Sequence, residues 1–412
     1  MPLCDRDRGA EPLALALRSL ARAPIALAVA GLLAAALVAA CRGIPTFLID
    51  PDLDGDGVVS QADVDLAVSC LGQEFPLPTI TYDYGGCPLR PPADTTGCAA
   101  ADVDRDGVVT QQDVDAVAAH LGERVCNGAT ELCDRRFDEV AYATTHNAMS
   151  ARFDPYDYSI VVSNQCSGVP TQLQDGIRAL MLDFHLYAPP GTDTPDLYLC
   201  HEDCDFGAQL LVDGLGEIRD FLAAHPAEVI SLIIETDADT GDMEDAIRDA
   251  FDASGLTPYT YVQTPGAPWA TLGDMIASNQ RLVVLTDDST PHARCDADGR
   301  PCPWYQYLWA SLAFETPYTF LRASDFTCHN NRGQPGNDLF ILNQFITRNT
   351  GAPSYARVAN GDFLLDSRAR DCWAYQGRIP NFVTVDFYEI GGVLRSVNLL
   401  NYLWGQTGGI AP

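Results

Sequence analysis

The chain has 412 residues, a formal net charge of −31 at pH 7 and no lysine, so all 25 basic residues are arginines. This length exceeds what one small core requires, and a hydrophobic content of 47% is that of a globular protein. The negative charge excludes a general affinity for nucleic-acid backbones, which bind basic surfaces. We therefore expect a globular protein with more than one folding unit.

The first forty residues have the pattern of an export signal. Arg18 and Arg22 precede an apolar run over residues 23–40, as in a signal peptide. The run ends Leu37-Val-Ala-Ala-Cys41, which resembles a bacterial lipobox and implies a lipid-modified Cys41 that attaches the protein to a membrane. The alternative is an ordinary cleaved signal. We predict a signal peptide over 1–40, a tether over 41–49 and an exported protein, at the cell envelope or outside the cell.

The cysteine content agrees with export. Twelve cysteines remain after Cys4 and Cys41, an even number in a compartment where disulfides persist. Proximity in sequence favours four pairs: Cys126 with Cys133, Cys200 with Cys204, Cys295 with Cys302, and Cys328 with Cys372. The sequence leaves four cysteines without an assigned partner: Cys70, Cys87, Cys98 and Cys166.

Two acidic segments fifty residues apart repeat one pattern. Each has carboxylates at loop positions 1, 3, 5 and 12, glycine at position 6 and a backbone carbonyl available at position 7, as in a calcium-binding EF-hand loop. The predicted calcium ligands are Asp52, Asp54, Asp56, Val58 and Asp63 in the first loop, and Asp102, Asp104, Asp106, Val108 and Asp113 in the second. Each loop leads into a helical pattern with an apolar stripe: Val64, Val68 and Leu71, and Val114, Val117 and Leu121. We expect the two stripes to pack together.

Aspartate at position 12 and a single helix after each loop make these segments similar to dockerin type I repeats. The resemblance implies a small α-helical calcium-binding domain over residues 50–124 and a cohesin-like protein partner. The alternative is a spacer stiffened by calcium, which the cysteine- and proline-rich insert over residues 73–100 favours.

From Cys126 onward, predicted strands alternate with predicted helices, which is typical of parallel α/β folds. The predicted strands are 140–144, 179–186, 197–201, 229–235, 281–286, 339–345 and 382–388, and the predicted helices include 208–224, 242–254 and 392–404. The length suits one (β/α)8 barrel over residues 125–412. In the second strand, the period of two places Asp183 on the face opposite Leu180, Leu182 and Phe184, so we expect Asp183 to point into the barrel mouth.

Several predicted strands end in a group suited to acid–base or metal chemistry. These residues are His146 and Asn147 after the first strand, then Asp183, His201, Glu235 and Asp386. The C-terminal ends of barrel strands are where such folds display reacting groups. Two histidines suit a reaction at phosphate in which one takes a proton and the other gives one.

Four motifs, in this order, resemble the X-domain of phosphatidylinositol-specific phospholipase C (PI-PLC): Thr-Thr-His146-Asn147, Gly176-Ile-Arg-Ala-Leu-Met-Leu-Asp183, Leu199-Cys-His201 and His225-Pro-Ala-Glu-Val-Ile-Ser-Leu-Ile-Ile-Glu235. The resemblance implies a distorted TIM barrel that cleaves a phosphoinositide or a related phosphodiester. It implies that His146 is the general base, His201 the general acid and Asp386 a carboxylate that orients a catalytic histidine. It also implies Asn147, Asp183 and Glu235 as ligands of a barrel calcium ion.

One position departs from the family pattern. Met181 stands where a further acidic calcium ligand is expected, and a thioether is a poor ligand for this hard cation. The alternative function is therefore an inactive surface protein attached through its calcium-binding repeats. The presence of both His146 and His201 favours the enzyme. A glycerophosphodiester phosphodiesterase is disfavoured because its His-Arg-Gly motif is absent from the first strand.

Overall fold

The structure is a computed structural model that describes residues 48–75, 80–83, 85–90, 96–153, 158–159, 161–236, 243–290, 292–348 and 351–412. The predicted signal peptide, Cys41 and all but the last two residues of the predicted tether lie outside the described residues. Within the described ranges, no helix combines the length and the hydropathy that a membrane crossing requires.

Short, buried strands form the centre of the larger unit. The strands are β1 (Tyr142–Thr145), β2 (Ala151–Phe153), β3 (Gln165–Ser167), β4 (Ala179–Tyr187), β5 (Asp196–Leu199), β6 (Gln209–Leu210), β7 (Ile230–Thr236), β8 (Thr260–Tyr261), β9 (Leu282–Thr286), β10 (Gln306–Tyr307), β11 (Ala313–Glu315), β12 (Leu339–Asn343) and β13 (Phe382–Val385). The longer parallel strands β4, β7, β9 and β12 are rich in apolar residues, as expected for parallel strands that are covered on both faces.

Eight of these strands follow one another around a curled parallel sheet in chain order: β1, β4, β7, β9, β10, β11, β12 and β13. The last strand pairs with the first, in the register Tyr142↔Phe382, so the two ends of the fold meet. Within the described residues, no pairing joins β10 to β11, and the barrel is open there. This topology confirms the predicted distorted (β/α)8 TIM-type barrel.

Helices of the larger unit cover the outside of the sheet, and the first two helices of the chain belong to the smaller, N-terminal unit. The helices are α1 (Gln61–Ser69), α2 (Gln111–Ala119), α3 (Val169–Gln174), α4 (Leu211–Ala224), α5 (Met243–Ser254), α6 (Leu272–Ala277), α7 (Leu308–Ser311), α8 (Pro353–Ala359), α9 (Asp362–Gln376) and α10 (Val393–Thr407). In α4, Leu211, Leu215, Ile218 and Leu222 recur at helical spacing and are buried against the strands. Their burial fixes this helix on the barrel wall.

The alternation along β4 divides the core into two layers. Leu180, Leu182 and Phe184 belong to the layer between strands and helices. Ala179 belongs to the second cluster, and Met181 packs against that cluster from inside the barrel. The next residue on the inner face is Asp183, which therefore reaches the mouth of the barrel.

The prediction for residues 197–201 was partly correct, because the region does form a strand but not a barrel strand. This region forms β5, which ends at Leu199 and pairs antiparallel with the end of β4, outside the eight-stranded path. His201 consequently follows a hairpin strand and not a barrel strand. A short apolar stretch occurs in hairpin strands as well as in barrel strands, so the sequence could not distinguish the two.

The first unit consists of two short helices after the two acidic loops. Each helix begins with a capping box, formed by Ser60 and Asp63 for α1 and by Thr110 and Asp113 for α2. The predicted apolar stripes were only partly correct. Val114 and Val117 are buried, but Val68, Leu71 and Leu121 are exposed. The reason is that Asp63, Ala67 and Cys70 fill the position of the first stripe.

Six disulfides join the twelve cysteines of the described part of the chain. The four predicted pairs are confirmed. The cysteines without an assigned partner pair as Cys70–Cys98 and Cys87–Cys166. The second of these bonds connects the insert between the two acidic loops to β3 of the barrel unit.

Candidate active site

A cleft of about 110 Å³ opens at the C-terminal ends of the barrel strands. It is lined by four of the predicted site residues, His146, Asn147, Asp183 and Glu235, together with Met181. They come from β1, β4 and β7, which are neighbours in the sheet. The parallel sheet therefore gathers residues that are up to about ninety positions apart in the sequence.

The His146 side chain is fixed by two contacts. Its Nδ1 lies 2.8 Å from Oδ1 of Asp386, a buried residue that follows β13. Its ring stacks on Phe345 with a centroid separation of 4.0 Å and an angle of 5° between the planes. Because the Asp386 carboxylate accepts a hydrogen bond, Nδ1 carries a proton and Nε2 is the atom left for exchange with a ligand.

His201 lies near this pair but is held by a different element. Its Nδ1 donates to the carbonyl oxygen of Val162 at 2.8 Å, so its Nε2 is also left for chemistry. Burial lowers the pKa of His201, and the nearby His146 lowers it further. His201 is thus biased toward its neutral form and holds a second proton weakly.

Carboxylates of three adjacent strands face one another at the rim. Asp183 is directly opposite Glu235 in the β4–β7 register, and Asp287 follows β9. Burial, together with the charges of Glu235 and Asp287, raises the pKa of Asp183 well above its usual range. Burial and Glu235 also raise the pKa of Asp287 to about 6, although Arg332 partly offsets this effect. This rim is a concentration of negative charge.

Three further polar residues of the cleft were not found from the sequence. Glu315 ends β11, is buried, and accepts hydrogen bonds from Arg332 at 2.6 Å and from Asn343 at 3.0 Å. Arg332 also pairs with Asp287 at 3.3 Å and packs between the rings of Trp309 and Tyr318. Asn343 could have been predicted from the sequence, because it ends the apolar run of β12.

The two acidic loops hold their carboxylates close together. The ligand atoms of Asp52, Asp54 and Asp63 lie within 4.8 Å of one another, as do those of Asp102, Asp104 and Asp113. The remaining carboxylates, Asp56 and Asp106, accept hydrogen bonds from the backbone N–H groups of Val58 and Val108. Each loop thus presents three hard oxygen ligands to a common centre.

Comparisons with known proteins match two separate parts of the chain. Residues 132–401 match the family model PI-PLC X 1, and residues 50–122 match the dockerin type I domain. The chain is 28% identical over 297 residues to PI-PLC X domain-containing protein 1 of Arthroderma benhamiae, which covers 68% of this chain and 90% of that protein. It is 28% identical over 301 residues, 66% of this chain and 62% of the relative, to an uncharacterized secreted protein of the same fungus.

A PI-PLC X domain-containing protein of Arabidopsis thaliana is 29% identical over 286 residues, 64% of this chain and 62% of that protein. Among solved structures, a mutant of phosphatidylinositol-specific phospholipase C from Staphylococcus aureus has a TM-score of 0.42 and 14% identity, over 65% of this chain and 94% of that chain. The family match covers more than half of the chain, and the chain therefore belongs to the PI-PLC X family.

Proposed function

We propose that this protein is an exported phosphodiesterase that cleaves a phosphoinositide or a related phosphodiester by acid–base catalysis with His146 and His201. The observation that carries the proposal is the hydrogen bond between His146 and Asp386 at the edge of a cleft into which strand-end carboxylates point. Family membership supports the reaction class.

His146 is proposed as the general base. With its Nδ1 proton bonded to Asp386, its Nε2 is free to take the proton of an attacking hydroxyl. In phosphatidylinositol this hydroxyl is the inositol 2-hydroxyl, whose oxygen then attacks phosphorus. Stacking on Phe345 restricts rotation of the imidazole ring and keeps Nε2 directed to one place. Asp386 stabilises the imidazolium that forms.

His201 is proposed as the general acid. Its Nδ1–H is used by Val162, so the proton that it gives to the departing diacylglycerol oxygen must leave from Nε2. A lowered pKa suits this step, because an acid that holds its proton weakly transfers it readily. The same property limits the fraction of His201 that is protonated at neutral pH.

The barrel residues fit a calcium ion. Asn147, Asp183 and Glu235 supply oxygen ligands, and within the described part of the chain no basic side chain pairs with Asp183. Bound calcium would screen the phosphate charge and acidify the attacking hydroxyl. Among the described residues that line the cleft, four are carboxylates and Arg332 is the one arginine, so a phosphodiester needs such screening. Met181 removes one oxygen from the site, which weakens the binding.

We propose that the first unit also binds calcium, one ion in each acidic loop, through the predicted ligands of the two loops. The match to the dockerin type I domain supports this assignment and a cohesin-like protein partner. Six disulfides support an extracellular location. Lipid attachment through Cys41 would place the barrel beside a membrane, where its lipid substrate lies.

The test is release of water-soluble inositol phosphate from phosphatidylinositol vesicles by the purified mature protein. We expect turnover that requires calcium, is lost with excess chelator and falls at least about 10²-fold in His146→Ala and in His201→Ala. His120→Ala is the matched control, because His120 lies in the first unit and its ring nitrogen Nδ1 bonds to Glu123 and Thr130 and not to a proposed site residue.

Absence of turnover on phosphatidylinositol and on other phosphodiesters would contradict the proposal and favour the inactive surface protein. Turnover that survives chelation would remove calcium from the barrel mechanism but keep the two histidines.

A further inference from the structure

We propose that Asn164 is a positioning residue that fixes the tautomer and orientation of His146 through Asp386. The inference rests on the proposed function for its kinetic consequence, although its structural part can be tested without turnover. Asn164 lies in the segment before β3, in none of the motifs that carry the family resemblance, and it is buried.

The Asn164 side chain joins the ends of two barrel strands. Its Nδ2 donates to Oδ1 of Asp386 at 3.0 Å, the same oxygen that accepts from His146. Its Oδ1 accepts from Nδ2 of Asn147 at 3.2 Å. A carboxylate oxygen has two lone pairs, so the amide takes one and leaves the other for the imidazole. The carboxylate then cannot rotate without breaking both bonds.

The Asn164 backbone is bound to the same two strand ends. Its N–H donates to the carbonyl oxygen of Ser150 at 2.9 Å, and its carbonyl accepts from the N–H of Phe387 at 2.7 Å. Asn147 and Phe387, the residues after His146 and Asp386, both have positive φ, 46° and 47°. Asparagine tolerates this conformation, but it is unfavourable for Phe387 and needs support from its surroundings. Asn164 provides this support on both sides.

The neighbours of Asn164 hold the rest of the site. Gln165 donates to the carbonyl oxygen of His146 at 2.7 Å, and the carbonyl of Val162 accepts from His201. Cys166 is bonded to Cys87 of the insert between the calcium loops. Residues 162–166 therefore bind both histidines and are themselves attached to the first unit. Asn164 is the member of this segment that contacts Asp386.

The experiment compares Asn164→Ala and Asn164→Asp with the unaltered protein by ¹⁵N NMR of the histidine ring nitrogens. The aspartate variant keeps the side-chain volume but replaces the donor to Asp386 with an acceptor. Neutral His146 in the unaltered protein is expected to be the Nδ1–H tautomer. Both variants are expected to give a mixture with the Nε2–H tautomer, a loss in kcat of about 10–100-fold and a KM within about threefold.

Asn381→Ala is the matched control. Asn381 is equally buried and makes three amide hydrogen bonds, but it lies at the opposite end of β13, next to Phe382. It is expected to reduce Tm without changing the His146 tautomer. An unchanged tautomer and an unchanged kcat in a folded Asn164 variant would overturn the inference. A protein without turnover, in which the tautomer still changes, would contradict the proposed function and leave the positioning role intact.

Discussion

The proposed acid and base have the same local arrangement but different partners. Each histidine bonds through Nδ1, where His146 faces the Asp386 carboxylate and His201 a backbone carbonyl. Nε2 of His201 also lies 3.9 Å from Oε1 of the exposed Glu202. A carboxylate stabilises a protonated ring much more than a neutral carbonyl does. The proposed base, His146, therefore has a charged hydrogen-bond partner at Nδ1, and the proposed acid, His201, has a neutral one.

The pH dependence of kcat/KM should show the lowered pKa of His201. A general acid must be protonated, so kcat/KM is expected to fall as the pH rises through the pKa of His201. Because that pKa is lowered, the alkaline limb is expected below the ordinary histidine value of 6.5. Glu202, whose charge raises the pKa of His201, provides a second check. Glu202→Gln is expected to move the limb slightly further toward acid.

The measurement is kcat/KM over pH 4.5–9 with a soluble inositol phosphodiester, which avoids pH effects on a lipid surface. Glu131→Gln, in the 3-10 turn before the barrel, serves as the charge-matched control. An alkaline limb well above 6.5 in the free enzyme, or a limb that Glu202→Gln moves upward, would contradict the assignment of His201.

At the scale of elements, the disulfide Cys87–Cys166 is the strongest connection between the two units. It closes a sequence separation of 79 residues, and an ion pair between Asp83 and Arg152 at 2.6 Å lies beside it. Stacking of Arg357 on Tyr82 adds a further contact of the insert with the barrel. The insert that departs from a compact dockerin therefore acts as the link to the barrel.

Removing this disulfide should destabilise the protein more than removing a short one. The entropy of the closed loop predicts a loss of about 4 kcal/mol for the pair Cys87→Ser and Cys166→Ser. The pair Cys295→Ser and Cys302→Ser, which opens a separation of 7 residues, should lose about 2 kcal/mol. Urea unfolding of both double variants measures the difference. Equal losses would indicate that the insert is held without the bond.

The barrel was predictable because its longer strands are continuous apolar runs, of which β7 and β9 are examples. The strands β10 and β11 were missed because two or three residues show no periodicity. Helix α9 was missed for a different reason. Its buried face includes Arg368, which bonds the carbonyl of Asn343 and Oε1 of Gln344, so a charged residue interrupts the apolar stripe.

The position of a cleft residue was predictable where it lies near the end of an apolar strand, as Glu235 does in β7. Arg332 and Asn164 lie in connecting segments and become part of the site only through contacts across the fold. The pairing of Cys87 with Cys166 has the same origin, since spacing along the chain carries no information about it. Sequence patterns indicate the longer strands and helices, but they do not indicate which parts of the barrel the connecting segments contact.

At the scale of the whole molecule, the net charge of −31 is concentrated in part where cations are expected. Each acidic loop and the barrel rim brings carboxylates together. Repulsion among these groups opposes folding in the absence of a counterion. The proposed calcium binding would therefore reduce the repulsion that the acidic composition creates at these places.

Calcium should raise the thermal stability of the first unit. A site at a calcium concentration about 100 times its Kd gains about 2.7 kcal/mol. We expect Tm in scanning calorimetry to rise when calcium replaces chelator, and Asp52→Asn and Asp102→Asn each to remove part of the rise. Asp298→Asn is the control, with the same change of charge in an exposed loop. A rise that neither loop variant reduces would exclude the loops as its source.

The proposed reaction cleaves the phosphodiester on the phospholipase C side, by attack of the substrate's own hydroxyl with His146 as the base. The direct measurement is ³¹P NMR of the products formed from phosphatidylinositol, with His146→Ala in parallel. We predict a cyclic inositol phosphodiester as the first phosphorus-containing water-soluble product, and no such signal in the variant. A phosphatidic acid signal, or cyclic product at an undiminished rate in the variant, would contradict the account.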